Sequence, residues 1–455
     1  MRIPPGIFRE YDIRGIVGDD LTEEAAELVG RAFGTELPDR EAPRVVVGHD
    51  NRPSSPALAA ALCRGLCAAG VDVITVGTAP TPVLYFAAIE FDTDGGIQIT
   101  GSHNPPEYNG IKMVRDGGAL YGDAILSLRT RIEHEEFATG RGKVREAEIL
   151  DRYVEEVAAR GRVEGNVRMV LDCGNGAGSV VAVRALTAAG IDVDGLYCES
   201  DGTFPNHHPD PTVDENVQDL IARVRDTGAD LGVGLDGDGD RIGAVTEEGA
   251  IVRGDHLLLL FAREVLAERP GAEVVFDVKC SQALTRVIEA EGGVPVMWKT
   301  GHSLIKERMR TGGSPIAGEM SGHICFADRF FGTDDAIYAA ARLAGLVARA
   351  GRPLSELAAG IPSYPSTPEL RLECPEERKF DLVANAVHHY RKGYEVVDID
   401  GARVLFDGGW LLIRASNTQP VVVARIEADT SERMLEIAAD ARAFLAGQGV
   451  VLPPV

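Results

Sequence analysis

Hydrophobic and polar positions alternate in blocks along most of the chain, and one block pattern occurs three times. An apolar run of strand length precedes a polar turn, an Ala- and Leu-rich segment with helical spacing, a glycine and a second apolar run. The copies read RVVVGHDNRPSSPALAAALCRGLCAAGVDVITVG, VRMVLDCGNGAGSVVAVRALTAAGIDVDGLYC and EVVFDVKCSQALTRVIEAEGGVPVMWK. Strands that alternate with helices predict α/β units with parallel strands, and three diverged copies predict three related domains.

The last part of the chain follows a different pattern. Pro362, Pro365 and Pro368 interrupt it and predict a linker. A helical segment, FDLVANAVHHYRK, then leads into YEVVDIDGARVLFDGGWLLIRA, whose alternation and DG turns predict hairpins. A strand, PVVVARIEA, and a helix from Ser431 complete a small α+β domain. We therefore predict domains at residues 1–148, 149–250, 251–362 and 363–455.

Composition and charge narrow the classes of protein. The 455 residues are 45% hydrophobic and 25% charged, as in ordinary globular proteins. The net charge of −24 argues against nucleic acid or an anionic membrane as a partner. Seven scattered cysteines without a CxxC pair indicate a reducing compartment. The N-terminus lacks an apolar signal core, and the longest aliphatic run, at 257–262, is too short for a membrane span, so we expect a cytoplasmic protein.

The segment TGSHNPPEYNG at 100–110 follows an apolar run and places Ser102 and His103 side by side. Serine and asparagine favour turns by bonding to the local backbone, so this loop alone is typical of turn chemistry. A serine hydroxyl is a poor nucleophile unless it is activated or already phosphorylated. Other polar loops beside it are needed before Ser102 becomes a candidate for catalysis.

The segment GVGLDGDGDRIGAV at 232–245 alternates Asp236, Asp238 and Asp240 with glycines. Alternate residues of an extended segment point to one side, and glycine lets the backbone bend around an ion. Three carboxylates with open positions left over suit Mg²⁺ bound through a phosphate. An EF-hand needs glycine where Arg241 stands, and the flanks are typical of strands, so we reject that motif. A solvated acidic turn is the remaining alternative.

Two further loops offer polar groups that suit a phosphorylated sugar. GEMSGH at 318–323 carries Glu319, Ser321 and His323, which suit sugar hydroxyls, although a helix-capping turn explains it equally well. RASNTQP at 414–420 follows the strand WLLI, and its Arg414 presents a planar fork to phosphate oxygens. The hydroxyls and amides of this loop suit an anion nest, and an ordinary hairpin loop is the alternative.

The positions of these loops in the repeats connect them. TGSHNP, DGDGDR and GEMSGH each follow a late strand of one α/β copy, where ligands bind in open α/β sheets. Together with the RASNTQP loop, they predict one shared cleft. GNGAG at 174–178 also lies between a strand and a helix, but its GxGxG spacing differs from the GxGxxG of dinucleotide-binding turns. We interpret it as tight turn packing.

Together the motifs resemble the α-D-phosphohexomutase family. FREYDIRG, TGSHNPPEYNGIK, DGDGDR, FDVKC, KTGHS, GEMSGH and RASNTQP stand in family order and cover nearly the whole chain. The resemblance implies a heart-shaped arrangement around a central cleft, with three similar α/β domains of mixed or parallel sheets and a C-terminal domain like the TATA-binding-protein fold. It implies reversible phosphoryl transfer between O1 and O6 of a hexose phosphate, through a phosphoserine and a hexose 1,6-bisphosphate.

The same resemblance implies roles for the matching residues. The implied metal ligands, for Mg²⁺, are Asp236, Asp238, Asp240 and a phosphoryl oxygen on Ser102. The implied catalytic groups are Ser102, Arg241 and two candidates for proton transfer, Lys112 and His302. The implied substrate-binding residues are Tyr11, Arg14, Lys279, Glu319, Ser321, His323, Arg414, Ser416, Asn417 and Thr418.

Two residues bear on the choice of sugar. Asn417 and Met320 favour hexose mutases over glucosamine mutases, so mannose or glucose phosphate is the expected partner of a monomer or small homo-oligomer. Three alternatives stay open: a phosphoglucosamine mutase, a metal-dependent sugar-phosphate phosphatase with Asp236 as nucleophile, and a non-catalytic sugar-phosphate sensor. Activity that survives loss of Ser102 would indicate the phosphatase.

Overall fold

The structure, a computed structural model, describes residues 3–38, 43–417 and 419–455, and strands in these ranges form four sheets. Each sheet is built from one continuous stretch of the chain. The first three contain parallel strands joined through helices, and the fourth is antiparallel throughout. This arrangement confirms three α/β domains followed by an α+β domain. The boundaries near 148, 250 and 362 stay predictions.

The first domain contains a mixed sheet. Its strands are β1 (Ile13–Ile16), β2 (Arg44–His49), β3 (Asp72–Thr78), β4 (Gly95–Ile99), β5 (Tyr108–Arg115), β6 (Gly118–Ala119) and β7 (Val144–Glu146). Its helices are α1 (Glu23–Thr35), α2 (Ser55–Ala68), α3 (Thr81–Glu90) and α4 (Asp123–Glu133). The sheet order is β1-β5-β4-β2-β3-β7, with β6 beside β5. β4 lies between parallel β2 and antiparallel β5, so the loop that follows it emerges from the middle of the sheet.

The second domain repeats this design on a smaller scale. Its elements are α5 (Leu150–Arg160), β8 (Arg168–Asp172), α6 (Ala182–Ala188), β9 (Asp192–Leu196), α7 (Gln218–Thr227), β10 (Leu231–Leu235), β11 (Ile242–Thr246) and β12 (Ile251–Val252). The sheet order is β12-β11-β10-β8-β9. β10 pairs with β11 in antiparallel register from Leu231–Thr246 to Leu235–Ile242. The acidic loop is therefore the turn between two buried strands, as its flanks predict.

The third domain has a four-stranded sheet of order β14-β13-β15-β16. Its elements are α8 (Gly254–Glu268), β13 (Glu273–Asp277), α9 (Gln282–Ala290), β14 (Val294–Trp298), α10 (His302–Gly312), β15 (Ile316–Gly318), β16 (Ile324–Phe326), α11 (Ala336–Ala350) and α12 (Leu354–Ala359). Asp335 begins α11 by accepting a hydrogen bond from the amide of Tyr338.

The fourth domain is an antiparallel sheet with two helices. Its elements are β17 (Leu370–Glu373), α13 (Lys379–Tyr390), β18 (Glu395–Val397), β19 (Ala402–Phe406), β20 (Gly409–Ala415), β21 (Val421–Ala428) and α14 (Ser431–Gly447). The sheet order is β17-β21-β20-β19-β18. The predicted hairpins correspond to β18–β19 and β19–β20, and the predicted final helix begins at Ser431.

One hydrophobic core continues through the first three domains. α11 packs against α5, α6 and α8, and its buried face includes Ile337, Tyr338 and Leu343. The fourth domain has its own core and meets the third through a small cluster of Val278, Trp410 and Leu412. Among the helices of the described ranges, none combines the length and the apolar character that a membrane span requires.

Candidate active site

The loop after β4 holds Ser102 in a conformation that serine rarely adopts. Its φ is 49°, in the left-handed region, and the residue is 2% exposed. The buried guanidinium of Arg52 donates to four carbonyls of this loop, those of Ser102, Asn104, Pro105 and Tyr108. Asp50 accepts from Arg52 and from the amide of Gly101. These bonds hold the serine in its strained conformation.

The loop between β10 and β11 brings the three predicted aspartates together. Asp236, Asp238 and Asp240 are buried, and one carboxylate oxygen from each lies within 4.8 Å of the others. Gly239 has a φ of 74°, which permits the turn between them. Ser102 Oγ donates to Asp236 Oδ2 over 3.0 Å. The serine loop of the first domain therefore meets the acidic loop of the second.

Lys112 on β5 lies among these aspartates. Its Nζ is 2.7 Å from Asp238 Oδ2 and 2.6 Å from Asp240 Oδ2. Burial alone would lower the pKa of Lys112, but these carboxylates raise it well above its ordinary value. Burial, and then the charges of Asp238 and Asp240, raise the pKa of Asp236 well above its ordinary value. Lys112 is therefore a firmly held ammonium in this arrangement.

The acidic loop fits a divalent metal ion. Asp238 Oδ1 and Asp240 Oδ1 are buried and have no hydrogen-bond partner in the described part of the chain. Two of the three carboxylates, those of Asp238 and Asp240, share the ammonium of Lys112, so carboxyl groups outnumber the ammonium. An unpaired buried carboxylate oxygen is costly, and a hard cation accepts such oxygens as ligands.

A cavity of about 1080 Å³ lies among the four domains. Its walls include eleven of the predicted residues: Tyr11, Arg14, Arg241, Lys279, His302, Glu319, Ser321, His323, Arg414, Ser416 and Asn417. The others that the structure describes, Ser102, Lys112 and the three aspartates, are buried outside this wall. Their chain neighbours His103 and Arg241 form part of it. Thr418 lies outside the described residues.

Tyr11 links three domains at this cavity. Its hydroxyl donates to the carbonyl of Thr300 over 2.7 Å and accepts from Asn417 Nδ2, also over 2.7 Å. Arg14 on β1 pairs with Asp12 at 2.5 Å. The FREYDIRG segment thus joins the first domain to the third and fourth.

The basic residues predicted to bind phosphate are already paired with carboxylates. Lys279 Nζ lies 3.1 Å from Glu369 Oε2, and Arg414 Nε lies 2.6 Å from Asp400 Oδ2. Lys279 lowers the pKa of Glu369 to about 2, so this carboxyl is ionised at neutral pH. A phosphate that binds Lys279 and Arg414 must therefore compete with the carboxylates of Glu369 and Asp400.

The GEMSGH turn presents a carboxylate to the cavity. Glu319 Oε1 accepts from the amide of Gly301 over 2.5 Å, and Ser321 Oγ donates to Glu319 Oε2 over 3.4 Å. Gly301 precedes α10, so this bond joins the turn to the KTGHS segment. Glu319 and Ser321 both keep acceptor capacity toward the cavity that they line.

His302 and His323 stack in the wall, with ring centroids 5.2 Å apart. Arg241 Nε donates to His323 Nε2 over 3.0 Å, so Nε2 carries a lone pair and Nδ1 carries the proton. His323 Nδ1 lies 2.9 Å from Asp334 Oδ2, and His302 Nδ1 lies 3.6 Å from the same oxygen. Burial lowers the pKa of His302 well below its ordinary value, so this imidazole is neutral at pH 7.

Comparison with known proteins shows which family the chain belongs to. Four models of phosphoglucomutase/phosphomannomutase match it in order: α/β/α domain I at 5–139, α/β/α domain II at 151–249, α/β/α domain III at 253–364 and the C-terminal domain at 369–444. The chain belongs to the phosphoglucomutase/phosphomannomutase family. This finding confirms the family that the motifs indicate.

Relatives of this family match along nearly the whole chain. The phosphomannomutase/phosphoglucomutase of Pseudomonas aeruginosa is 48% identical over 436 residues, which are 96% of this chain and 94% of that protein. The phosphoglucomutase of Neisseria gonorrhoeae is 44% identical over 429 residues, 93% of each chain. The crystal structure of a phosphoglucomutase/phosphomannomutase family protein from Burkholderia thailandensis has a TM-score of 0.92 at 45% identity and covers 98% of each chain.

Five polar residues around the site of this family member were missed by the sequence analysis: Arg52, Thr81, Asp334, Glu369 and Asp400. Thr81 Oγ1 donates to Asp238 Oδ2 over 2.5 Å, across 157 positions of sequence. Arg52 stands in a polar turn, and Asp334 precedes the capping residue of α11. In the sequence, a turn or a helix cap is therefore enough to explain each residue, and neither is marked as part of the site. No sequence signal connects such residues to partners in other loops.

The GNGAG turn supports the acidic loop of this mutase family member. The amide of Ala177 donates to the carbonyl of Gly237 over 2.8 Å. A Cβ on Gly176 would lie 2.7 Å from that carbonyl oxygen, a distance too short for any side chain. The close approach agrees with tight turn packing and explains the glycine there.

Proposed function

We propose that the protein reversibly moves a phosphoryl group between O1 and O6 of mannose or glucose phosphate, through phospho-Ser102 and a hexose 1,6-bisphosphate. The observation that carries this proposal is the 3.0 Å contact between Ser102 Oγ and Asp236 Oδ2, beside a cavity bordered by all four domains. The relatives named phosphomannomutase/phosphoglucomutase and phosphoglucomutase support this substrate class.

Asp236, Asp238 and Asp240 would hold Mg²⁺ together with an oxygen of the phosphoserine. A phosphoserine carries about −1.5 to −2 charges near neutral pH. Next to three carboxylates, that charge is unfavourable unless a cation lies between them. Bound there, Mg²⁺ would neutralise charge on the phosphoryl oxygens during transfer.

The transfer itself exchanges one P–O bond for another. The bond from phosphorus to Ser102 Oγ breaks while a bond from phosphorus to a sugar hydroxyl oxygen forms, and Ser102 Oγ takes up a proton as it leaves. The proton of the sugar hydroxyl passes to the imidazole of His302, which borders the cavity. In the second transfer, the same bonds change in reverse at the other end of the sugar.

Lys112 was predicted as a second candidate for proton transfer. Its ammonium is bound by Asp238 and Asp240, so it holds a proton rather than accepting one. We propose that it stabilises charge beside the phosphoserine and can return a proton to Ser102. Arg241, on the cavity wall next to Asp240, supplies a further positive charge toward the transferred group.

The remaining polar residues of the wall would hold the sugar. Glu319 and Ser321 suit hydroxyls, and His323, whose ring nitrogens face Arg241 and Asp334, borders them in the wall. The phosphate that is not transferred would bind through the side chains of Tyr11, Arg14, Lys279, Arg414, Ser416 and Asn417, with Thr418 in the same loop. The cavity is at the upper end of ordinary ligand sites, about 300–1,000 Å³, and so has room for a bisphosphate to turn end for end.

Turnover measured side by side on mannose, glucose and glucosamine 1-phosphates, with a trace of hexose 1,6-bisphosphate, tests this proposal. We expect the 6-phosphates of mannose and glucose as products, and loss of turnover in Ser102→Ala. Faster turnover of the glucosamine substrate would favour a phosphoglucosamine mutase. Release of inorganic phosphate that survives Ser102→Ala would favour the phosphatase. Binding of a sugar phosphate without any turnover would indicate a non-catalytic sugar-phosphate sensor.

A further inference from the structure

Asp334 is a fully buried carboxylate at the back of the histidine pair. It precedes α11, and three nitrogen atoms lie near its oxygens. Lys306 Nζ is 2.6 Å from Oδ1, His323 Nδ1 is 2.9 Å from Oδ2, and His302 Nδ1 is 3.6 Å from Oδ2. Asp334 does not line the cavity, whereas both histidines do, so it can act on a ligand only through them.

The hydrogen bond from Arg241 to His323 defines which ring nitrogen of this histidine carries the proton. Arg241 always donates, so His323 Nε2 accepts, and the ring proton is on Nδ1. Nδ1 then carries the proton and lies 2.9 Å from Asp334 Oδ2 and 3.6 Å from Asp240 Oδ1. A carboxylate behind Nδ1–H is the arrangement that fixes both the tautomer and the plane of an imidazole.

A second support keeps Asp334 itself in place. Lys306 on α10 donates to Asp334 and also lies 3.2 Å from the hydroxyl of Tyr85 and 4.3 Å above its ring. Tyr85 belongs to α3 of the first domain, whereas Lys306 and Asp334 belong to the third. The carboxylate is therefore tied across the junction between the domain that carries Ser102 and the domain that carries the histidines.

We propose that Asp334 is a positioning residue for phosphoryl transfer, because its carboxylate holds His323 as the Nδ1–H tautomer and aligns the His302–His323 stack beside the cavity. This inference rests on the proposed function. The structure supplies the orientation, since the Nε2 lone pair of His323 is directed to Arg241 on the cavity wall. Without the carboxylate, the ring can rotate or carry its proton on Nε2, and the lone pair then no longer faces Arg241.

Asp334→Asn tests this inference, with Asp335→Asn as the matched control. Both changes replace a buried carboxylate by its amide, but Asp335 caps α11 and binds Tyr153 instead of a histidine. For Asp334→Asn we expect kcat on glucose 1-phosphate to fall roughly 100-fold, with KM changed less than about threefold. Asp335→Asn is expected to keep kcat within about twofold. A raised KM with unchanged kcat, or equal losses in both variants, would overturn the inference.

Nitrogen-15 NMR of the histidines in the wild-type protein gives a readout that does not depend on turnover or on how well a variant folds. We expect His323 to show the proton on Nδ1 and to lose this signature in Asp334→Asn, while Asp334→Glu retains it and recovers part of kcat. A proton on Nε2 in the wild type contradicts the inference. So does a second divalent ion that binds through Asp240, His323 and Asp334, measured by metal titration. An absence of mutase turnover in the wild type would instead contradict the proposed function.

Discussion

Ser102 Oγ lies 3.0 Å from Asp236 Oδ2, although the two residues are 134 positions apart and belong to different domains. Neither loop forms this contact alone. Arg52 holds the serine loop from behind, and the GNGAG turn presses against Gly237 of the acidic loop. The nucleophile and the metal ligands are thus brought together by two separately supported loops.

Asp238→Asn is expected to abolish most mutase activity without unfolding the protein. The change removes one metal ligand, whereas Lys112 keeps its second partner, Asp240, at 2.6 Å. We expect kcat to fall at least about 100-fold at saturating Mg²⁺, because charge on the transferred group is then poorly stabilised. Turnover and metal titration check this, with the circular dichroism melt as a control for folding. Full Mg²⁺-dependent turnover in the variant would show that the three aspartates of this loop do not bind a catalytic metal ion.

Metal removal should lower the thermal stability of the protein. Two of the three buried carboxylates share one ammonium, and a bound cation stabilises only the folded arrangement. Differential scanning calorimetry in EDTA and in millimolar-range MgCl₂ compares the two states. We expect a higher Tm with Mg²⁺ and no such gain in Asp238→Asn. An identical gain in both proteins would place the stabilising ion elsewhere.

Glu369→Gln should strengthen the binding of sugar phosphate. The carboxylate competes with phosphate for Lys279, whose Nζ lies 3.1 Å away. Because Glu369 is only partly buried, the gain is modest, and we expect KM to fall by about 2- to 5-fold. Steady-state kinetics on glucose 1-phosphate measures it. The exposed Glu373→Gln on β17 is the control, and a raised KM in Glu369→Gln would show that this carboxylate helps to hold the substrate.

Arg52→Lys should loosen the serine loop. One ammonium cannot reproduce the planar guanidinium that reaches four carbonyls, so we expect about 2–4 kcal/mol of lost stability and a kcat at least tenfold lower. Denaturant unfolding and turnover measure both quantities. Arg64→Lys on the exposed face of α2 is the control. Unchanged kcat in Arg52→Lys would show that catalysis does not require the serine loop to be held rigidly.

Asp335 should make the stability of the protein depend on pH. Burial raises the pKa of this carboxyl from 3.8 to about 7, so the folded state binds its proton more tightly than the unfolded state. The free energy of unfolding should therefore fall as pH rises from about 4 to about 7, and then level off. Thermal melts of the wild type and Asp335→Asn across this range check it. Parallel pH profiles for the two proteins would contradict the assignment.

The elements that could be predicted from sequence are those that depend on local spacing. The three α/β copies, the hairpins around β19 and the helix from Ser431 all have periodic apolar positions over their whole length. β1 and β17, at four residues each, pair at the edges of their sheets and are too short for such a signal. Their pairing depends on the neighbouring strand rather than on their own sequence.

The residues that carry the chemistry of the site could be predicted from the sequence, but the residues that hold them in place could not. Ser102 and the three aspartates stand in distinctive loops at strand ends, which is why they could be named. Asp334 and Glu369 could not be, because their roles depend on partners brought near by the packing of α10 and by the linker before β17. A buried carboxylate behind a histidine has no sequence spacing of its own.

The transfer from phospho-Ser102 to the sugar can be followed with one labelled phosphoryl group. Protein carrying a labelled phosphate on Ser102 is mixed with unlabelled glucose 1-phosphate and quenched within a single turnover, and protein and sugars are then separated. We expect the label to leave Ser102 and to appear first in the 1,6-bisphosphate and then at O6 of the 6-phosphate. A label that stays on the protein while product forms, or that leaves as inorganic phosphate, would contradict it.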